Sequence, residues 1–554
     1  MCFLAVATRA EVTEKISFRN DVMAVLSKAG CNAGSCHGNK YGKGGLKLSL
    51  RGQDPDDDFN AFVFGLGGRR VDPNNPETSL MLLKATAQVP HEGGLRFAEK
   101  SDEYRVLREW ITARMPNDGE RAAKVKRIEV APAQQIVVEP EMSAQLRATA
   151  YFDDGTKRDV TRVAVYEPNN HVVKVSHDGL VKRVSDRPGE STIIVRYLDQ
   201  QMPVRLAFVR TQPDFEWSAP HANNFVDQHV FAKLRLLRMN PSEFSDDFVF
   251  TRRAYLDVLG LLPTAAEARE FISDKRKDKR AKLIDALLER PEFPEFWAQK
   301  WSDLLRNEEK TIDRKGVQAL HRWIEQGIAT NKPVDQFVRE IVSARGSTYQ
   351  NPPANYYRAL RNPVDRAEAT AQVFLGVRLN CAQCHNHPFD RWSQDDYYDW
   401  ASVFSRVGYK VLENNKRDKL DTHEFVGEQI VFVNRDTVGA VTNARTGKLA
   451  PARLLGANAK LPPDSDSLDE LAKWISTNPL FARSQVNRVW FHLMGRGLVD
   501  PIDDFRATNP ASHPELLDQL ASEFVKSGYN LRWLIRTIMN SRAYQLSSEP
   551  NASN

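Results

Sequence analysis

The first 120 residues of the chain carry apolar positions at helical spacing. Phe18, Val22 and Val25 recur at intervals that place them on one face of a predicted helix. A second helical pattern is predicted to end just before Pro116, because proline cannot continue a helix interior. We therefore predict a small helical domain over residues 11–120.

The pattern changes to strict alternation further along the chain. Apolar and polar side chains alternate from Ala144 to Phe152, which is the period of a half-buried strand. A turn signal, Asp154-Gly155, follows directly. Several short strands separated by such turns predict an immunoglobulin-like β-sandwich at residues 125–210.

Helical spacing returns after the sandwich and dominates the rest of the chain. Val226, Val230 and Leu234 form one apolar stripe, and Thr264 with Glu267 has the spacing of a helix capping box. The pattern predicts a helical domain at 215–405, a mixed linker region at 406–466 and a helical C-terminal domain at 467–546. The chain is thus predicted to be multidomain and mainly α, with one β-sandwich near its N-terminus.

The composition and the net charge of the chain exclude some classes of function. The 554 residues are 41% hydrophobic and 27% charged, which is typical of globular domains. The net charge of +5 is small for this length and argues against a nucleic-acid-binding function. No stretch approaches the length of a transmembrane segment. Ala5-Val6-Ala7 resembles the cleavage site of a secretory signal peptide, so we expect export to the periplasm or the cell envelope.

Four of the five cysteines lie in two clusters that each end in histidine. The clusters are Cys31-Asn32-Ala33-Gly34-Ser35-Cys36-His37 and Cys381-Ala382-Gln383-Cys384-His385. The second has the spacing by which c-type haem is attached, and the first has the same order with a longer gap. Two thiols bond covalently to the haem, and the adjacent imidazole reaches the iron. The sequence therefore predicts two haem c groups, with buried reduced thiols as the plain alternative.

Each iron also needs a second axial ligand or an open position. For the first site, His37 is the predicted proximal ligand, and His91 lies in the region where small cytochromes present their distal ligand. We therefore predict a bis-histidine iron of low potential. Met81 and Met115 are the weaker alternatives, and methionine ligation would raise the potential.

The cluster from Cys381 to His385 allows several hypotheses about its metal ligands. His385 is the predicted proximal ligand, whereas His387 follows too closely to reach the opposite haem face and could contact a propionate or another metal. His492 is a distant candidate for the distal ligand. Cys381, Cys384 and the two neighbouring histidines could alternatively hold zinc, since two cysteines and two histidines can complete a tetrahedron.

Longer motifs resemble the large planctomycete-type cytochrome family, in which a haem c domain precedes a characteristic pair of domains of uncharacterised function. The matching segments are CNAGSCHG at 31–38 with GGLKLSL at 44–50, RRAYLDVLGLLPT at 252–264, NCAQCHNHPFD at 380–390, and VNRVW at 486–490 with GRGLV at 495–499. Residues 127–210, with RDVT at 158–161, resemble a group 2 bacterial immunoglobulin-like domain. The resemblance implies export and haem c, but no substrate. Relatives usually continue beyond residue 545, so we expect the C-terminal domain to be truncated.

Three functions follow as expectations. The first is an exported multihaem c-type cytochrome that carries electrons to or from a redox partner protein, either alone or within an oxidoreductase complex. The second is a haem enzyme with an open iron position that acts on peroxide or an organic substrate. The third is a zinc-stabilised, non-redox surface binding protein. In each, the immunoglobulin-like module would serve as a spacer or as a contact to the cell envelope.

Overall fold

The computed structural model describes residues 16–39, 41–185, 189–434, 441–462, 464–551 and residue 553. It divides into two compact units, Met1–Thr211 and Gln212–Asn554. Helices take up 41% of the chain and strands 14%, so the fold mixes helices with several small sheets and is less strongly α than predicted. The strands of the second unit are short, and two of them lie in the region 406–466 that the sequence predicts to be mixed. The predicted signal peptide lies outside the described residues.

The first unit begins with a small helical segment. Its helices are α1 Met23–Lys28, α2 Pro55–Val63, α3 Leu80–Ala85 and α4 Asp102–Thr112. Phe18 begins a short π-helical turn before α1, and its ring contacts those of Phe59 and Trp110 at centroid distances of 5.1 and 5.2 Å. These buried aromatic side chains form the centre of a separate apolar core. The helical spacing of Phe18, Val22 and Val25 is confirmed, since all three are buried in it.

A β-sandwich follows in the same unit. Its strands are β1 Val125–Ala131, β2 Gln134–Val138, β3 Ser143–Gln145, β4 Arg147–Phe152, β5 Lys157–Asp159, β6 Val165–Pro168, β7 Val173–Val175, β8 Leu180–Arg183, β9 Gly189–Tyr197 and β10 Gln200–Val209. They pair in three sheets with the orders β1-β4-β5, β2-β10-β9-β6 and β3-β8-β7. The single strand predicted from Ala144 to Phe152 is wrong, because the chain divides at Leu146 into β3 and β4, which belong to different sheets; alternate side chains of β4 are buried, as predicted. Their inward faces form one apolar core.

The helical segment and the sandwich pack against each other within the first unit. Ala24 of α1 belongs to the apolar core of the sandwich. The Tyr197 hydroxyl of β9 donates a hydrogen bond to the Asn20 carbonyl at 2.9 Å and accepts one from Arg158 at 2.7 Å. Arg158 also forms an ion pair with Asp21 at 2.8 Å. The helix that leads into the first cysteine cluster is therefore held by the sandwich.

The second unit is built mainly of helices around one large apolar core. Its helices are α5 Phe225–Leu236, α6 Asp247–Leu259, α7 Ala265–Ser273, α8 Lys279–Leu288, α9 Glu292–Leu304, α10 Glu309–Ile312, α11 Arg314–Ala329, α12 Val334–Val342, α13 Asn355–Ala359, α14 Pro363–Thr370, α15 Gln394–Ser402, α16 Ser467–Ile475, α17 Pro479–Met494, α18 Pro514–Lys526, α19 Leu531–Met539 and α20 Arg542–Gln545. A small sheet has the order β11-β13-β12, with β11 Gly346–Ser347, β12 Val407–Val411 and β13 Gln429–Val433. The predicted capping box is confirmed, because Thr264 and Glu267 bond reciprocally at the start of α7. Among the described helices, none is both long and apolar enough to span a membrane.

Candidate haem sites

The first cysteine cluster forms a compact loop directly after α1. The His37 backbone N–H donates to the Cys31 carbonyl at 3.0 Å, and the Cys36 N–H donates to the Ala33 carbonyl at 2.9 Å. Both thiols are free and half-buried. Burial raises the pKa of the Cys31 thiol to about 11, so this thiol stays protonated at neutral pH. The loop therefore presents two reduced thiols and one imidazole close together.

The His37 side chain is held in one tautomer. Its Nδ1 lies 3.1 Å from the Lys43 carbonyl and 3.1 Å from the Leu46 carbonyl. A carbonyl oxygen can only accept, so Nδ1 carries the proton and Nε2 keeps its lone pair. Burial also lowers the pKa of His37, and the nearby His91 and Arg70 act in the same direction. This neutral form, with Nδ1 held by a carbonyl, is the form that ligates metals.

His91 lies near His37, and its ring is also bonded to a backbone carbonyl. Its Nδ1 is 3.0 Å from the Gly94 carbonyl, so its Nε2 also keeps a lone pair. The two rings are nearly parallel, at 10°, with their centroids 6.4 Å apart. That separation is too wide for direct ring contact and places the two imidazoles side by side with a gap between them. The structure therefore brings together the two histidines that the sequence analysis proposed as axial ligands.

Exposed apolar side chains occur on the loops next to these histidines in the sequence. Within residues 16–39 and 41–121, the exposed large hydrophobic side chains are Tyr41, Phe64, Leu66 and Leu95. Tyr41 lies on the loop that follows His37, and Leu95 lies directly after the Gly94 that holds His91. Leu66 reaches the loop that bonds His37, at 3.5 Å from the Cβ position of Gly45. A large apolar plate such as haem would cover this surface, so the residues present fit the group.

The two methionines proposed as alternative ligands of the first site pack against the apolar core of the helical segment. These residues, Met81 and Met115, are partly buried. Within the residues that the structure describes, no group of three or more His, Cys, Asp or Glu side chains is placed to hold a metal ion. The candidate donors of the first site are the histidine pair with Cys31 and Cys36, and these residue types suit a covalently attached haem.

Two arginines, which the sequence analysis did not identify, connect separate segments of this site by hydrogen bonds to backbone carbonyls. Arg96 donates to the Ala29 carbonyl at 2.9 Å and to the Gly93 carbonyl at 3.2 Å, so it joins the end of α1 to the His91 loop. Arg70 donates to the Ala61 carbonyl at 2.7 Å and to the Gly45 carbonyl at 2.6 Å. No sequence motif marks either residue, because a lone arginine that bonds to carbonyls has no characteristic spacing.

The second cysteine cluster lies on a short 3-10 turn in the second unit. Cys381 is half-buried and Cys384 is exposed. His385 Nδ1 lies 2.8 Å from the Asn386 carbonyl, which again leaves Nε2 with its lone pair. Cys384 opens onto a surface depression lined by Gln383, Gln394, Tyr398, Ala444 and Arg445. This surrounding is more polar than that of the first site.

The further histidines proposed for the second site have other partners. His387 is buried, and its Nδ1 accepts a hydrogen bond from the Phe389 N–H at 3.2 Å. His492 donates from Nε2 to the Asp257 carbonyl at 2.8 Å and packs on Trp297. Burial lowers the pKa of His492 to about 4. Each of these two rings therefore has a hydrogen-bond partner of its own.

The chain therefore has several domains. The first unit contains a β-sandwich, and the second unit is mainly helical. Residues 225–409 match the family PSCyt2, a protein of unknown function (DUF1549), and residues 469–554 match PSD1, a protein of unknown function (DUF1553). These two domains are typical of planctomycete cytochrome-like proteins, so this part of the predicted resemblance is confirmed. No haem c or immunoglobulin-like family model matches the chain. No curated protein matches it either.

Proposed function

We propose that this protein is an exported c-type cytochrome that carries electrons for a redox partner protein. The observation that carries the proposal is the parallel pair of His37 and His91, with both Nδ1 atoms held by carbonyls and both Nε2 atoms available. Haem c in this site would supply one-electron redox chemistry at an iron of low potential. Export is part of the proposal, because attachment of haem c takes place outside the cytoplasm.

Each residue of the first site has a defined task in this proposal. The Cys31 and Cys36 thiols would hold the haem covalently, and the His37 and His91 imidazoles would bind its iron. The backbone carbonyls fix the orientation of both imidazoles, as outer-shell acceptors do in other metal sites.

The second cluster supports a second haem attached through Cys381 and Cys384, with His385 as the proximal ligand. Cys384 is exposed and opens onto a surface depression, which supports a second candidate function, that of a haem enzyme with an open iron position. Zinc at this cluster has less support, since the Nδ1 atom of His387 already accepts a backbone hydrogen bond. Carbon monoxide binding by one of two haems would favour the enzyme.

The experiment is production of the full chain, behind a secretion signal, in a host that matures c-type cytochromes. We expect a mass increase of two haems that survives denaturation, and a c-type pyridine haemochrome. His91→Ala should abolish the bis-histidine signature in near-infrared magnetic circular dichroism, whereas His171→Ala, at an exposed loop position, should leave it intact. Colourless protein from a competent host would refute the proposal, and stoichiometric zinc without iron would favour the surface-protein alternative.

A further inference from the structure

The segment of residues 46–52, which precedes α2, is bonded to His37 at two points. The Leu46 carbonyl lies 3.1 Å from Nδ1 of the His37 ring, and the Leu48 N–H donates to the His37 carbonyl at 2.9 Å. The Leu48 side chain is buried in the apolar core of the helical segment. Residues 46–52 therefore fix both the ring and the backbone of the predicted proximal ligand.

The middle of this segment is bonded to α2 by one carboxylate, that of Asp58. Its Oδ1 accepts a hydrogen bond from the Ser49 N–H at 2.5 Å, and its Oδ2 accepts one from the Ser49 hydroxyl at 2.6 Å. The Ser49 hydroxyl oxygen in turn accepts from the Asp54 N–H at 2.9 Å. Both carboxylate oxygens of Asp58 are thus used to hold one residue of the segment.

These hydrogen bonds depend on the charge of Asp58. An ionised carboxylate is an acceptor only, so both of its oxygens can receive the two Ser49 donors. When the carboxyl group binds a proton, one of its oxygens becomes a hydroxyl group and the charge that strengthens both bonds is lost. Protonation of Asp58 therefore weakens the connection between α2 and the segment that fixes His37.

The surroundings of Asp58 bring its titration toward neutral pH. The side chain is fully buried, and burial raises the pKa of Asp58 to about 6. The two bonds from Ser49 act in the opposite direction, whereas the negative charges of Asp54 and Asp57 act in the same direction as burial. The carboxyl group therefore changes its charge in the pH range in which the protein would work.

The other charged side chains around this carboxylate are exposed or have partners of their own. On the segment itself, Lys47 is exposed and Arg51 pairs with Glu167 at 3.6 Å. In the turn before α1, Arg19 pairs with Asp56 at 2.6 Å. The titrating group between α2 and the segment is thus Asp58 itself.

We propose that Asp58 is a positioning residue of the first candidate haem site, which fixes His37 through Ser49 by a bond that weakens when Asp58 binds a proton. The effect on a haem rests on the proposed function, whereas the effect on residues 46–52 does not. When the site gains an electron from the redox partner, the added negative charge raises the pKa of a buried carboxyl group beside it. Asp58 then takes up a proton from water, and it returns this proton when the electron leaves.

The first experiment uses the full chain without haem and follows the amide NMR signals of Ser49 and Leu48 as the pH is changed. In the wild type, both signals should shift in one step with a midpoint at about pH 6. Asp58→Asn should remove this step from both signals, and Asp57→Asn, at an exposed position of the same helix, should keep it. Steps of equal size in the wild type and in Asp58→Asn would overturn the proposal.

A second variant keeps the carboxylate and changes only its partner. Ser49→Ala removes the hydroxyl that stabilises the ionised form of Asp58, so the midpoint of the step in the Leu48 signal should move to higher pH. A midpoint that does not move would show that Asp58 does not act through Ser49. This variant also decides the proposal if Asp58→Asn fails to fold.

The second experiment measures the reduction potential of the first haem at several pH values. It uses the full chain with Cys381→Ser and Cys384→Ser, so that only the first cluster can take up haem. The potential should fall as the pH rises through the titration of Asp58, because reduction is then no longer favoured by the bound proton. Asp58→Asn should remove this slope, Ser49→Ala should move it to higher pH, and Asp57→Asn should leave it unchanged.

The shape of this pH profile separates the possible outcomes. A residue with a merely structural role would change the potential by the same amount at every pH. The same slope in the wild type and in Asp58→Asn would therefore overturn the effect on the haem. A chain that takes up no haem would refute the proposed function, and the NMR experiment would still decide whether Asp58 controls residues 46–52.

Discussion

Gly30 and Gly93 leave open the space in which the first candidate haem site is assembled. A Cβ atom at Gly30 would lie 2.6 Å from Nη2 of Arg96, the arginine that joins α1 to the His91 loop. A Cβ atom at Gly93 would lie 2.8 Å from Cε1 of His91. Distances below 3 Å force one of the two groups to move. These glycines therefore set the position of Arg96 and of His91, although neither has a chemical role.

The substitution Gly30→Ala should destabilise the first unit by about 1–2 kcal/mol beyond the effect of backbone strain alone. Gly30 has φ of +74°, so the alanine variant is strained and also displaces Arg96. Gly119→Ala is the matched control, because Gly119 has φ of +50° and no atom within 4 Å of its Cβ position. Urea unfolding of both variants measures the difference. Equal losses in the two variants would show that Arg96 does not depend on the space at Gly30.

His492 should make the second unit sensitive to acid. Its pKa is lowered to about 4 in the folded chain, against about 6.5 when unfolded, so the unfolded state binds more protons between these values. Stability should therefore fall by about 2–3 kcal/mol as the pH drops from 6.5 to 4. His492→Gln should flatten this dependence, and His221→Gln, at an exposed position, should not. Parallel pH profiles of denaturant unfolding for His492→Gln and the wild type would contradict the prediction.

The sequence identified some of these residues and missed others for a physical reason. Cys31, Cys36 and His37 stand in one short motif, and the chemistry of haem attachment requires that order. His91 was predicted from its position in a loop, and the structure places its ring beside that of His37. Arg96 could not be predicted, because its contacts join carbonyls that lie 64 residues apart, at Ala29 and Gly93. Only the fold brings them together.

At the level of secondary-structure elements, the sandwich is more than a spacer for the helical segment. Strand β9 bonds to the turn before α1 through Tyr197, and Lys28 at the end of α1 donates to the His177 carbonyl at 3.0 Å. The individual strands and helices could be predicted, because alternation and helical spacing are local properties. The contacts between them could not be, because Lys28 and Tyr197 are an ordinary surface residue and an ordinary strand residue in the sequence.

Tyr197→Phe should destabilise the first unit by about 1–3 kcal/mol, because the Asn20 carbonyl loses its donor and Arg158 loses an acceptor. The control is Tyr151→Phe, which removes the hydroxyl that bonds to Glu129 on the exposed side of the sandwich. We expect the control to cost less than half as much. Thermal unfolding of the two variants measures the effect, and equal costs would mean that the bond between the turn and β9 is not a significant support.

At the level of the whole molecule, the chain has separate hydrophobic cores, and these determine which fragments we expect to fold. The large core of the second unit draws only on residues from Val226 onward, and the two cores of the first unit draw only on residues up to Phe208. The two motifs that predict haem therefore belong to different compact units, one in each. The family models match only the second of these units, so the first unit must be tested by itself.

The fragment 1–211, made behind a secretion signal in a host that matures c-type cytochromes, should fold and carry one covalent haem. The fragment 1–124 should fail to accumulate, because it exposes the surface of α1 that packs in the sandwich core and leaves Asn20 and Lys28 without their partners on the strands. The complementary fragment 212–554 serves as the control and should fold with the haem of the second cluster. Haem content per chain and circular dichroism measure both properties. If fragment 1–124 matured as well as fragment 1–211, the helical segment would be an independent domain, and the sandwich would be a spacer after all.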